Sequence, residues 1–217
     1  MAQVASREKF LPPSLDIIPC YLYNISMNPQ KPKSNIVYFD LETQYSAADV
    51  GGWSYIDEMK LALAVTYSTA DGEYATFFEA DVDALINKLR GADLVVGFNI
   101  VRFDYIVLEP YTSVPLSELR SFDMLEHIRC QLGFRVSLDR LAQATLNTSK
   151  SGDGLQSIEW WNAGKIDLVE AYCRKDVEIT RQLHEYACRK GYLLFESDGS
   201  STRVSTRNWA SYMKIDS

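Results

Sequence analysis

The stretch Asn35–Thr43, with sequence NIVYFDLET, constrains the fold more than any other part of the chain. An apolar run rich in β-branched and aromatic residues specifies a buried strand. Two carboxylates, Asp40 and Glu42, stand at its far end. Side chains alternate faces along a strand, so these two share one face with Cα atoms roughly 6.6 Å apart. In an interior position such a pair repels and loses hydration unless one carboxyl keeps its proton or a cation sits between them. The cation reading is preferred. Taken alone, the stretch leaves a second reading open, in which the strand leaves the core before Asp40 and both acids are solvated loop residues.

With 217 residues, 47% hydrophobic and 12% aromatic, the chain has enough apolar surface for one substantial core and suits a single large domain. Disorder throughout is excluded. No apolar run reaches the roughly 20 residues that span a bilayer, and the N-terminus lacks a signal-peptide core, so a cytoplasmic protein without a membrane partner is expected. Cys20, Cys130, Cys173 and Cys188 form no C-x-x-C pair, and His127 and His184 are the two histidines. This disfavours zinc, and reduced thiols are preferred over a disulfide, which sequence leaves open. A net charge of −7 argues against a broad basic surface that coats nucleic acid. It does not exclude an acidic site whose bound cations restore positive charge locally.

Met1–Ser34 carries Pro12, Pro13, Pro29 and Pro32 without sustained periodicity and reads as an arm. Gln44–Asp57, with Gly51-Gly52-Trp53, reads as a long loop leaving the acidic end of the first strand. Lys60–Tyr67 and Glu73–Phe78 read as an antiparallel hairpin turning at Asp71-Gly72. The spacing of Val82, Leu85, Ile86 and Leu89 predicts a helix over Asp81–Arg90, and Leu94–Phe98 reads as a short buried strand. A helix over Arg102–Leu108 interrupted by Pro110, a strand near Arg120–Met124 and a helix around Leu138–Ala142 follow. After the polar loop Asn147–Gly154, Trp160 and Trp161 are assigned to core packing. A long helix runs from about Asp167 to Arg189 and stops at Gly191. Tyr192–Phe195 and Arg203–Thr206 flank a hairpin signal, before a polar tail. The layout is α/β or α+β with one mixed sheet.

In the long helix Leu168, Tyr172, Asp176, Ile179, Leu183 and Tyr186 fall at spacings of three and four, so Asp176 interrupts an apolar stripe. A carboxylate there must be protonated, paired or metal-bound. A salt bridge for Asp176 and a plain core role for Tyr172 are open alternatives. Between the strand and this helix lies Gly97–Asp104, sequence GFNIVRFD, where Asn99 ends a strand and Asp104 enters the following turn; Asn99 by itself is an ordinary cap.

Taken together, Asp-x-Glu on a first strand, Asn-x-x-x-Phe-Asp after a later strand and Tyr-x-x-x-Asp on a late helix resemble the DEDDy exonucleases. That is the tyrosine branch of the DEDD superfamily, and the resemblance covers about Ile36–Gly191. The histidine branch would need its base at position 171, which is Ala171. Tyr-Cys-x-x-Asp and the Asn99–Asp104 spacing are similar to B-family polymerase proofreading domains. Together with the Gly51-Gly52-Trp53 loop, they are also similar to stand-alone bacterial relatives, which are favoured.

The resemblance implies a ribonuclease H-like α/β fold, a central mixed sheet flanked by helices over 35–191, with an arm at 1–34 and a C-terminal hairpin and tail at 192–217. It implies a metal-dependent 3′-to-5′ exonuclease acting on single-stranded or frayed nucleic acid, DNA or RNA. Two divalent cations, Mg²⁺ or Mn²⁺, would be held by Asp40, Glu42, Asp104 and Asp176, with Asp40 bridging. Tyr172 would orient the attacking water. Asn99, Phe103, Arg102, Trp53 and Lys150 are the candidate substrate contacts, with Tyr45 a further stacking candidate; packing for the aromatics and solvation for the cations are the competing roles. A helicase or another replication or repair protein is the partner the resemblance suggests. A catalytically weak nuclease-like binding module and a structure-selective nuclease are the competing functions, the second disfavoured by Tyr172.

Overall fold

A computed structural model of the chain describes residues 34–148, 154–197 and 199–212. The expected arm up to residue 33, Lys150 and the tail beyond residue 212 lie outside the described residues.

Strands β1 (Ile36–Thr43), β2 (Leu61–Ser68), β3 (Tyr74–Phe78), β4 (Leu94–Gly97) and β5 (Ser121–Asp123) form one mixed sheet in the order β3-β2-β1-β4-β5. β1 is central, antiparallel to β2 and parallel to β4. The β2–β3 hairpin turns at Asp71-Gly72, where Gly72 adopts φ 75°, a left-handed conformation that glycine reaches without steric cost.

The alternation of β1 sorts its side chains onto two layers. Ile36 and Tyr38 join one core with Val177, Leu183 and Ala187 of α6 (Ile166–Lys190). Val37, Phe39 and Leu41 join the other with Leu85 and Leu89 of α1 (Val82–Arg90) and Val107 and Leu108 of α2 (Asp104–Leu108). Both faces of β1 are therefore covered, and full burial of a Val, Leu or Phe side chain stabilises by about 1.5–3 kcal/mol. Asp40 and Glu42 continue the Ile36–Tyr38 face and so point towards α6. Pairing shifts register between Glu42 and Thr43, and such irregularities re-aim side chains at a strand end.

Helix α6 begins with Asp167 in its first turn and ends with Arg189 and Lys190, a charge order that suits the helix dipole. Gly191, at φ 76°, caps it by donating its N–H to the Ala187 carbonyl at 2.8 Å. Its buried face runs through Val169, Cys173, Asp176, Val177, Thr180, Leu183 and Ala187. Leu168, expected in the stripe, is 44% exposed. Two successive steps of four residues advance the stripe by about 40° each, so extending it back from Tyr172 to Leu168 leaves the core, which Val169 enters instead. Tyr172, Ile179 and Leu183 are buried as expected.

Helices α3 (Met124–Leu132), α4 (Leu138–Leu146) and α5 (Gly154–Asn162) complete the element order up to α6. α5 was not expected, because its one fully buried residue is Ser157 and it carries little apolar period. Trp160 and Trp161, on α5, are half-buried against the α6-side core, in keeping with their expected packing role. Three further differences from the expectations are local. The loop after β1 contains a 3₁₀ segment, Trp53–Glu58. α2 starts at Asp104 rather than Arg102, because Phe103 has φ −136° and ψ −73°. Pro110 does not break the chain's helical course but opens a 3₁₀ turn over Glu109–Tyr111, where its missing N–H is harmless. Besides the mixed sheet, β6 (Tyr192–Ser197) and β7 (Ser200–Ser205) form a separate two-stranded sheet.

The polar tail begins with a short helix, α7 (Trp209–Tyr212), because Trp209 is buried edge-on to Phe122 with ring centroids 5.0 Å apart. Among the described residues, no helix is long and apolar enough to cross a membrane.

Candidate metal centre and its flanking cavities

The expected acids meet where β1 ends. Glu42 is 8% exposed and Asp40 is half-buried. One carboxylate oxygen from each and the Cys173 sulfur lie within 4.8 Å of one another. Asp104, 3% exposed at the start of α2, accepts the Leu41 N–H at 3.2 Å, which places it against the strand between the other two acids. Asp176, 5% exposed on α6, lines a cavity together with Asp40.

Burial first, and then the charge of Asp40, pushes the Asp104 carboxyl well above the ordinary range; the N–H of Leu41 opposes this only in part. The same crowding acts on Cys173. Burial, followed by the charges of Asp40, Glu42 and Asp176, raises its thiol well above its usual value. Its sulfur lies 3.3 Å from the Asp40 carbonyl and 3.6 Å from the Asp40 carboxylate, towards which the thiol donates. Geometry admits Cys173 beside the carboxylates, although a sulfur is a softer donor than the oxygens around it. Carboxylates gathered this closely fit a hard divalent cation such as Mg²⁺ or Mn²⁺, whose positive charge offsets theirs.

The loop that delivers Asp104 is built by three residues. At Gly97 a Cβ would stand 2.2 Å from Ile100 Cγ2 and 3.0 Å from the Phe39 carbonyl, so only glycine lets the chain fold down onto β1 there. Asn99 adopts φ 73°, a left-handed conformation that Asn tolerates. It does not cap α2; its side-chain carbonyl accepts from Arg135 at 2.9 Å. Asp123, at the end of β5, accepts four backbone N–H groups: Asn99 at 2.9 Å, Val101 at 3.0 Å, Leu125 at 3.0 Å and Glu126 at 3.3 Å. It thus caps α3 and pins the loop before Asp104 with one carboxylate. Sequence reasoning missed Asp123, although an Asp between a strand and the helical run Met-Leu-Glu is a recognisable cap.

Tyr172 is buried one turn before Asp176, with Trp160 edge-on at 6.2 Å. Two cavities flank the acids. The first, of about 590 Å³, is mostly apolar and is lined by Leu41, Glu42, Trp53, Met59, Phe103 and Leu155 among others. Trp53 is 72% exposed, and its ring lies 6.5 Å from that of Phe103; Tyr45 lines the same cavity. The second, of about 440 Å³, is lined by Asp40, Asn99, Arg135, Ser137 and Asp176 among others. Arg102 is held away from both cavities' linings by Glu126 at 2.6 Å. Thus the fold gathers Asp40, Glu42, Asp104 and Asp176, buries Tyr172 one helical turn from Asp176, sets Trp53 and Phe103 on one side and Asn99 on the other, and pairs Arg102 with Glu126.

Compared with known proteins, residues 37–188 match the family model of the RNase_H superfamily. No curated protein matches the chain. Among solved structures, E. coli exonuclease I in complex with a dA16 oligonucleotide is similar at a TM-score of 0.47 and 15% identity, over 72% of this chain. The match covers 41% of that protein, so the chain spans about two fifths of its length.

Proposed function

The chain belongs to the RNase_H superfamily, and from that premise we propose that it is a 3′-to-5′ exonuclease releasing nucleoside monophosphates from single-stranded or frayed ends. The observation that carries this reading is Asp104, a carboxyl lodged against the strand that bears Asp40 and Glu42 and raised first by burial and then by the charge of Asp40. Stability alone gives no reason to bury like charges together. Asp40, Glu42, Asp104 and Asp176 are the residues that would hold two divalent cations, which supply an activated water and neutralise the departing 3′ oxygen.

The remaining work falls to the chain's own side chains. Tyr172 orients the water through its hydroxyl, since a phenol is a poor general base at neutral pH. The apolar cavity receives the terminal nucleoside, with Trp53 and Phe103 offering faces on which bases stack. Asn99 and Arg135, in the polar cavity, suit the backbone of the strand behind it.

The test uses single strands of DNA and RNA labelled at the 5′ end, incubated with Mg²⁺ or Mn²⁺ and either wild type or Asp40→Ala. A ladder shortening from the 3′ end in wild type alone is expected. Degradation that persists in Asp40→Ala overturns the site, and no degradation with any metal replaces the enzyme with a nucleic-acid-binding module.

A further inference from the structure

Glu42 is met by a helix other than those that carry Asp104 and Asp176. It stands where the β1–β2 ladder changes register, so the backbone beneath it is irregular. A Glu side chain has more rotatable bonds than Asp and must lose that freedom before it ligates anything. On the opposite side is Ser157 of α5, 1% exposed, whose hydroxyl donates to Glu42 Oε2. The same hydroxyl lies 3.0 Å from the Gly154 carbonyl, one turn back in its own helix. A serine has one hydroxyl proton, and Glu42 Oε2 is the nearer of the two acceptors. The proton therefore goes to Glu42.

The position of α5 gives this bond a second consequence. Gly154, Leu155 and Ile158 of α5 line the apolar cavity that Glu42 also lines. One hydroxyl thus ties a wall of the cavity to one of the acids. We infer that Ser157 is a positioning residue, which holds the Glu42 carboxylate in its cation-binding orientation and links occupancy of that cation site to the order of α5. Binding that favours the bonded arrangement must, by reciprocity, be favoured by it. The inference rests on the cation-binding reading of the acids given above.

Mn²⁺ titration calorimetry on wild type, Ser157→Ala and Ser157→Thr tests it, with melting temperatures recorded without cation. Removing a group that orients a metal ligand typically weakens metal affinity about 10- to 100-fold. Ser157→Ala is expected to bind Mn²⁺ about tenfold more weakly, and Ser157→Thr, which keeps the hydroxyl, to return most of the loss. Where hydrolysis is measured, kcat should fall in Ser157→Ala with KM little changed. In hydrogen–deuterium exchange of wild type, Mn²⁺ should slow exchange across residues 154–162, a readout that stands even where Ser157→Ala proves unstable. Equal Mn²⁺ affinity in wild type and Ser157→Ala, or no slowing across 154–162 in wild type that binds Mn²⁺, overturns this inference alone. A wild type that binds no Mn²⁺ overturns the cation reading and this inference with it.

Discussion

The seam between β1 and α6 has two ends made from the same strand face and the same helix, and they solve opposite problems. At one end Tyr38 and His184, both buried, meet through the phenol oxygen and Nδ1 at 3.0 Å. Phe122 and Trp209 pack around them, with ring centroids 5.3 and 6.1 Å from the imidazole. Burial holds His184 down to about 4, so it is neutral at physiological pH. At the other end, two residues along β1 and two turns back along α6, Asp40, Glu42, Cys173 and Asp176 replace aromatic packing with accumulated negative charge. A buried polar pair can stabilise when both members are satisfied and neutral. A buried acid cluster cannot, and its persistence in a well-packed core points to a binding role.

The sharpest way to break this comparison is at Asp104. We predict that Asp104→Asn lowers hydrolysis by about a thousandfold or more while raising the melting temperature of the cation-free protein, because it removes a charge that burial and Asp40 oppose. A variant that loses activity and stability together would place Asp104 among ordinary structural acids.

At the other end the expected effect is on stability and follows pH. The folded-state value of His184 lies below the ordinary 6.5, so the unfolded chain binds the extra proton between about 6.5 and 4. Stability is present in full above that window and is lost as pH falls through it, by on the order of 2–3 kcal/mol. Urea unfolding of wild type and His184→Gln at pH 7 and pH 4.5 isolates this contribution; equal losses in both would remove it.

Cation binding should act on the acidic end alone. Mn²⁺ at about a hundred times its Kd stabilises a protein that binds it only when folded by about 2.7 kcal/mol. We expect thermal unfolding of wild type to show that shift and Asp40→Ala to lack it. The smallest effect is expected at Tyr38→Phe, which deletes one hydrogen bond to His184 and should destabilise by about 1 kcal/mol without changing hydrolysis. A matching loss of hydrolysis would show that the two ends are coupled along α6.

Much of this molecule is legible from local pattern. The alternation in β1, the Asp71-Gly72 turn, the periodicity of α1 and the Gly191 stop each depend on neighbours close in sequence, and each element stands in the structure within a few residues of expectation. Asp40 and Glu42 share a face because a strand has a period of two, whatever surrounds it. The parts that were not legible depend on contacts across the chain. α5 lacks an apolar period of its own and is placed by α6 and by Ser157 meeting Glu42, 115 positions apart. Leu168 left the expected stripe because a helix of 25 residues accumulates phase. Trp209 folded a polar tail inward because the rings that receive it, Phe122 and His184, come from a strand and a helix far earlier in the chain.

By itself the sequence determined most of the elements, an α/β or α+β layout and the order of the carboxylate motifs, since these follow from side-chain periodicity and spacing. Only the tertiary structure decided which groups surround those acids. Asp123 gathers four amides from two separate segments, Arg102 turns to Glu126 and Cys173 stands among the acids. Burial and charge are sums over everything nearby, and what is nearby is set by how helices and strands pack rather than by any one stretch of chain.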